Sequence, residues 1–289
     1  MPNTISPPPD KNSHPPAAPP PAWDDRLLAD PHAVADKRRR VREMFAAIAP
    51  SYDLNNRLHS LGVDQLWRRK AVKLSQLKAT DQVVDVACGT GDLTLRFAHV
   101  LWSFPRPWET SKGMRVTGID FTFEMLPIAR RKAATTFAPI RSHPRPTFLS
   151  STATFINGDA QSLPLPDACC DVVSIAFGIR NVQDPAAAFR EFRRVLRPGG
   201  RVIVLEFSLP TNPILRGLYN GYFRHVLPRT ATLVSGDRTG AYKYLPESVN
   251  TFIGRQQMVD MLTAAGFGQV EQFPMTFGVC VCYRGVVPA

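Results

Sequence analysis

The sequence predicts a doubly wound α/β domain, a parallel sheet with helices on both faces, preceded by a proline-rich tail. Three observations lead there. From residue 82 onward, short β-branched runs alternate with amphipathic stretches of helical period, the pattern of strand, crossover helix and parallel strand. The first run ends in a glycine-containing turn, DVACGTGD, that opens a helix. Nine of the first 22 residues are proline, a composition that cannot pack a core, so residues 1–35 are expected to be a disordered tail and 36–289 the folded domain.

Each element has its own local reason. KRRRVREMFAAIAPSYD places Val41, Met44, Phe45 and Ile48 at helical spacing. QVVDVAC (82–88) reads as a strand and DLTLRFAHVL (92–101) as a helix. RVTGID (115–120) is strand-like, and FEMLPIARRKAA (123–134) is helical with Pro127 tolerable in its first turn. ATFINGDA and CDVVSIAF supply two more strands. In DPAAAFREFRRVL, Asp184 is the N-cap and Pro185 the first helical residue, and Gly199 and Gly200 end the segment. RVIVLEF (201–207) is a further buried strand, RQQMVDMLTAAGF (255–267) a helix, and QVEQFPM and FGVCVCYRG are two closing strands.

Composition narrows the function classes. No run approaches the roughly 18 apolar residues needed to span a bilayer, and the tail lacks the apolar stretch of a secretory signal. Five cysteines without a C-x-x-C pair give neither a disulfide framework nor a zinc site, and Cys280 and Cys282, two apart on a strand, read as small buried apolar residues. The expected compartment is cytoplasmic. The net charge of +11 suits an anionic surface, but the only dense basic block is KRRRVR (37–42). Two readings of it stand, a solvated helix face and a polybasic contact with the inner face of a membrane. Nucleic acid is disfavoured, because no basic stripe is interleaved with aromatics.

The turn after the first strand holds the ligand information. Gly89 and Gly91 allow a tight turn and close backbone approach, but Thr94 stands where a dinucleotide fingerprint needs a third glycine or alanine. Asp85 and Asp92 bracket the loop, which repels pyrophosphate and suits a cationic ligand such as S-adenosylmethionine. Its ribose diol needs a carboxylate at the end of the second strand, and Asp120 fits, with a helix cap for TFEML as the alternative. Asp159, in NGDAQSLPLPD, falls where the adenine amine would lie.

DVACGTGD, INGDAQSLPLPD and RVLRPGGRVIVLEFS together resemble the class I S-adenosylmethionine-dependent methyltransferases. MFAAIAPSYDLNNRLHSLGVDQLWRR, FGIRNV, FRHVLPR and YKYLPESV narrow the resemblance to the ubiquinone/menaquinone biosynthesis C-methyltransferases, over about residues 40–285. The resemblance implies a Rossmann-like, seven-stranded, mostly parallel sheet, capped by helices from the segment before the first strand and from 209–250. It carries Thr90, Asp120, Asp159 and Ala160 over as cofactor-contacting positions. Ala176 stands where many members have serine, and Asp64 where many have histidine, which argues against a conserved catalytic role there. Stretches 102–112 and 138–150 are longer than the family core and are read as surface insertions.

The implied reaction is methylation of a ring carbon of a polyprenylated hydroquinone, with demethylmenaquinol as the favoured acceptor. The lipid tail suggests a peripheral membrane contact, with LRGLYNGYFRHVL (215–227) as either a membrane-facing or a packed helix; a homo-oligomer stays open. In AFGIRNVQDP (176–185), Arg180 and Asn181 follow a strand's carboxyl end and are expected to stabilise the developing phenolate. Arginine is too weak an acid to serve as a base. Deprotonation is left to water or His225, with Tyr52 as an orienting hydroxyl. A structural ion pair between Arg180 and a carboxylate such as Asp184 is the competing reading. A methyltransferase of another small acceptor, and a non-catalytic scaffold in quinone biosynthesis, are the alternative functions.

Overall fold

In a computed structural model, the described residues are 22–104, 115–136, 153–237 and 239–289. They form β1 (Val83–Val86), β2 (Val116–Asp120), β3 (Ala153–Asn157), β4 (Cys170–Ala176), β5 (Leu196–Phe207), β6 (Gly268–Met275) and β7 (Cys280–Val286). One seven-stranded sheet runs β3-β2-β1-β4-β5-β7-β6. β1 to β5 pair in parallel, and β7 joins β5 and β6 antiparallel. The order reverses between β1 and β4, so the ligand crevice is expected beyond their carboxyl ends.

Three helices precede β1: α1 (Lys37–Ile48), α2 (Tyr52–His59) and α3 (Val63–Leu74). α4 (Asp92–Ser103), α5 (Met125–Thr136) and α6 (Pro185–Val195) are crossovers. α7 (Pro213–Gly221), a π-helical turn (Tyr222–Val226), α8 (Leu227–Ser235) and α9 (Ala241–Asn250) fill the insertion before α10 (Arg255–Ala264). Pro185 opens α6 and Asp184 accepts from the Ala187 N–H at 3.0 Å, the cap that the sequence predicts. α6 ends at Val195, and β5 begins at once at Leu196. A register shift between Cys170 and Val172 absorbs the RPGG segment as an irregular strand rather than a separate turn.

The β-branched strands are buried on both faces, as a covered parallel sheet requires. On one face Phe189, Phe192 and Leu262 from α6 and α10 meet Val173 and Val204. On the other, Trp67, Phe97 and Leu126 from α3, α4 and α5 meet Val172 and Ile203. Each such aromatic or leucine contributes about 1.5–3 kcal/mol on burial. Cys280 and Cys282 are fully buried there, with thiols pushed up by desolvation, which agrees with the apolar reading. A third cluster holds the cap together: Trp23, Met44, Ile48, Leu227 and Tyr244.

That cluster corrects the boundary at residue 35. Trp23 is buried against Tyr244, ring centroids 4.5 Å apart, and its backbone N–H donates to the Thr239 carbonyl at 3.2 Å, so folded structure begins by residue 22. Residues 1–21, 105–114 and 137–152, which include most of the expected tail and insertions, lie outside the described residues. The KRRRVR block is partly engaged, while Arg38 and Arg39 stay more than half exposed and Arg42 is exposed, as on a solvated helix face. Lys37 is buried with Nζ donating to the Val182 carbonyl, Arg38 pairs with Asp159, and Arg39 and Arg40 pair with Asp36. Among the described residues no helix is long and apolar enough to cross a membrane.

Candidate active site

The carboxyl ends of β1, β2 and β4 open into a cleft of about 770 Å³ roofed by α1 and α2. Gly89 lies on its floor with φ of +54°, and a Cβ there would sit only 3.9 Å from the Tyr52 ring. Asp120 closes β2. Its Oδ2 accepts from the Gly89 N–H at 2.7 Å and its Oδ1 from the Thr122 N–H at 2.7 Å. Burial pushes its carboxyl up to about 6, against the pull of those two N–H groups. A carboxylate accepts about four hydrogen bonds, so it retains capacity for a diol. Gly158, Asp159 and Ala160 form the far wall; Asp159 Oδ2 is 2.9 Å from Arg38, whose guanidinium lies 4.6 Å over the Phe121 ring. Met125, Phe121 and Val182 give flat apolar walls beside these polar groups. The donor set fits a nucleoside with a hydroxyl pair.

Asp85, Thr90 and Asp92 act from behind this cleft. Asp85 is buried beneath the turn, accepting from Thr94 Oγ1 and Ser174 Oγ at 2.6 Å each. Burial holds its carboxyl near 6 despite these hydroxyls. It is therefore no direct ligand contact, and Thr94 occupies the missing-glycine position because it bridges helix to strand. Thr90 Oγ1 donates to Asp53 Oδ1 at 2.6 Å and receives Lys132 Nζ at 3.2 Å. Lys132 also pairs with Asp53 and Asp92. Burial would raise the Asp92 carboxyl, but Arg68, Lys132 and Arg57 outweigh it and hold it below the ordinary value. Asp92 is thus paired within the protein and Asp85 is buried beneath the turn, so neither lines the cleft, which corrects the electrostatic argument from sequence. Gly91, at φ +85°, caps α4 where a Cβ would meet the Phe155 ring at 3.0 Å.

A second cavity of about 690 Å³ adjoins the first, and Phe45, Tyr52 and Phe177 line both. Its walls are aromatic: Trp67, Phe177 and Phe207 lie with centroids 4.6–6.0 Å apart. The turns after β4 and β1 meet beside the cavities and are both strained, with Phe177 at φ +57° and Ala87 at +51°. Gly178 is required there, since a Cβ would come within 2.6 Å of the Ala87 methyl.

Arg180 lines the second cavity but is held from behind. Nη1 donates to Glu206 Oε1 at 2.5 Å and to the Phe177 carbonyl at 2.9 Å, and Nε donates to Ser248 Oγ at 3.3 Å. Its carboxylate partner is Glu206 of the neighbouring strand and not Asp184, which caps α6 and lies 3.9 Å from Arg190. Asn181 lines the first cavity; its Nδ2 donates to the Phe177 carbonyl at 3.3 Å, and its Oδ1 accepts from Tyr244 Oη at 2.9 Å. Tyr52 stands between the cavities, its hydroxyl kept protonated by burial against the opposing Arg68 charge. His225 is misplaced by the sequence reading: the π-helical turn leaves it exposed and outside both cavities.

Two further residues belong here, Arg68, passed over in the sequence, and Asp64, set aside there as a catalytic position. Asp64 and Arg68, one turn apart on α3, both line the second cavity. Asp64 Oδ1 accepts from Ser60 Oγ at 2.8 Å and Oδ2 from Gln65 Nε2 at 2.9 Å. Arg68 Nε lies 3.6 Å from Asp64 Oδ2, buried without a hydrogen bond, and its guanidinium sits 5.2 Å over the Phe177 ring. Asp64 is the only carboxylate among the described residues lining this cavity. The signal was present: DQLWRR puts charged and aromatic side chains on one face of a helix that must also pack the core.

The fold has parallels among solved structures. An S-adenosylmethionine-dependent methyltransferase from Thermotoga maritima superposes with TM-score 0.53 at 19% identity, covering 85% of this chain and 99% of that one. Another from Aquifex aeolicus gives TM-score 0.51 at 16% identity, covering 76% and 89%. By sequence, a demethylmenaquinone methyltransferase of Thermus thermophilus is 43% identical over 245 residues, 85% of this chain and all of that one. A ubiquinone/menaquinone biosynthesis C-methyltransferase of Geobacter sp. strain M21 is 39% identical over 254 residues, 88% of this chain and 99% of that one. Residues 33–287 match the profile of one family as a whole, and with a seven-stranded sheet opening onto a glycine- and aspartate-lined cleft, the chain belongs to the ubiE/COQ5 methyltransferase family.

Proposed function

We propose that this protein uses S-adenosylmethionine to methylate a ring carbon of a polyprenylated hydroquinone, with demethylmenaquinol as the favoured acceptor. The observation that carries this reading is the pair of adjoining cavities sharing Phe45, Tyr52 and Phe177, one built for a nucleoside and the other for a flat ring. Asp120 would hold the ribose hydroxyls, Gly89 would allow close approach, and Asp159 and Ala160 would border the adenine. The bound donor supplies an electrophilic methyl group, and the carbon that receives it gives up a proton. Ring carbons become nucleophilic as a neighbouring hydroxyl loses its proton. Asp64 takes the hydroxyl proton in the second cavity, the developing oxyanion is met by the Arg68 and Arg180 guanidiniums beside aromatic walls, and the proton lost from the methylated carbon returns to that oxygen as the ring is restored. Asn181 and Tyr52 shape the boundary across which the methyl group passes.

The tail of such an acceptor keeps it in a bilayer, so the protein works at a membrane surface. Leu54 and Leu58 on α2, with Ile214 and Leu218 on α7, are exposed apolar side chains suited to that contact. The test is to supply S-adenosylmethionine with reduced demethylmenaquinone, a methoxy-polyprenyl-benzoquinol and unrelated small acceptors. S-adenosylhomocysteine should form in step with a methylated quinol; formation only with an unrelated acceptor overturns the reading.

Affinity for the donor should depend on pH with a predictable sign. The ribose hydroxyls donate to ionised Asp120, whose carboxyl titrates near 6, so affinity should rise as pH increases through about 6. Below it, affinity should fall by up to about tenfold per pH unit, the limit for one linked proton. Calorimetric titration between pH 5 and 8 checks this. Asp120→Asn should bind more weakly and lose that slope; an unchanged slope would assign it to another group.

A further inference from the structure

We propose that a third cavity carries the isoprenoid tail of the acceptor from the ring site to the protein surface, an inference that rests on the quinol reading above. The cavity holds about 170 Å³ and continues from the second one, with Asn56, Ser60, Trp67, Phe207 and Leu245 lining both. The three cavities therefore form one series, from the nucleoside cleft through the aromatic chamber to this passage. Its remaining wall is largely apolar: Val63, Phe223, Leu227 and Val279. It contains no charged carboxylate or guanidinium among the described lining residues, unlike the chamber that precedes it.

Three separate segments of its lining adjoin exposed apolar side chains. Ser60, Leu227 and Thr276 line the passage, and each has an exposed apolar side chain as its immediate neighbour: Leu61 at 87% exposure, Val226 at 46% and Phe277 at 81%. Leu61 and Phe277 hold φ of +50° and +56°, a region costly for side chains with a Cβ. Two hydrogen bonds fix the wall segments against one another: Trp67 Nε1 donates to Thr276 Oγ1 at 2.8 Å, and His59 Nε2 meets Thr230 Oγ1 at 2.8 Å. An apolar passage rimmed by outward-facing apolar side chains suits a flexible hydrocarbon chain whose far end remains in lipid.

Photolabelling tests the proposal on the parent protein. A demethylmenaquinol carrying a diazirine on its second isoprene unit should crosslink within residues 59–63, 223–227 or 276–279, as located by mass spectrometry. Crosslinks confined to other segments would overturn the passage. In a companion measurement, Val63→Phe and Val279→Phe should lower the ratio of kcat/KM for a long-tailed over a tailless acceptor at least tenfold. An unchanged ratio in a variant with parental melting temperature would likewise overturn it. If the parent methylates neither the long-tailed nor the tailless quinol, it is the quinol reading that fails.

Discussion

Asp64→Asn should lower turnover by about 10²–10⁴-fold, the usual contribution of a positioned general base, while S-adenosylmethionine affinity stays near the parent's; the melting temperature should fall, because buried Arg68 loses its carboxylate partner. The amide keeps the side chain's volume and can still accept the Ser60 hydroxyl at Oδ1, but it cannot take a proton from the acceptor. The residue is buried at the start of α3, and the second cavity offers no other carboxylate among its described lining residues. Single-turnover assays with a quinol acceptor measure the effect. Parental turnover in Asp64→Asn would leave solvent as the proton acceptor and remove Asp64 from the chemistry.

Arg180→Ala should destabilise the fold by about 3–5 kcal/mol, because it leaves Glu206 charged and unpaired in the interior. Arg180 is 4% exposed and Glu206 1% exposed, so water cannot replace the lost partner. The Phe177 carbonyl and Ser248 hydroxyl lose donors in the same step. Urea unfolding reads the loss. Replacing both members, as in Arg180→Met with Glu206→Leu, should recover much of the stability, since a buried pair costs desolvation on both sides. Turnover then separates the roles. If Arg180 also meets the oxyanion, the double variant folds but stays slow; recovery of both stability and turnover would make the pair purely structural.

The sheet was legible because its signal is local: β-branched runs alternating with helical periods, punctuated by Gly89, Asp184-Pro185 and Gly199-Gly200. The β2 aspartate was legible for the same reason, being fixed by its place at a strand end. What sequence concealed was set by packing between distant segments. Glu206 lies on the strand beside the one that delivers Arg180, and it is the single acid in the apolar run RVIVLEF; a buried acid there demanded a cation. Lys132, on α5, neutralises Asp92 of α4, so charge counted along one loop misjudged the field that a ligand meets. His225, named from sequence beside water as the proton acceptor, lies exposed in a π-helical turn outside both cavities, a placement set by how the insertion packs. Trp23 was hidden by its proximity to a proline-rich stretch, although a lone tryptophan followed by DDRLL already departs from that composition.

The central claim is that a hydroquinone ring, deprotonated in the aromatic chamber, accepts the methyl group on carbon. The most direct measurement uses S-adenosylmethionine labelled with ¹³C in its methyl group, reduced demethylmenaquinone and the parent protein, with the product examined by carbon NMR. The account predicts a single labelled resonance of an aryl methyl, on the ring carbon beside a hydroxyl. Label in a methoxy group, or no transfer to the quinol while the donor is shown to bind, would contradict it.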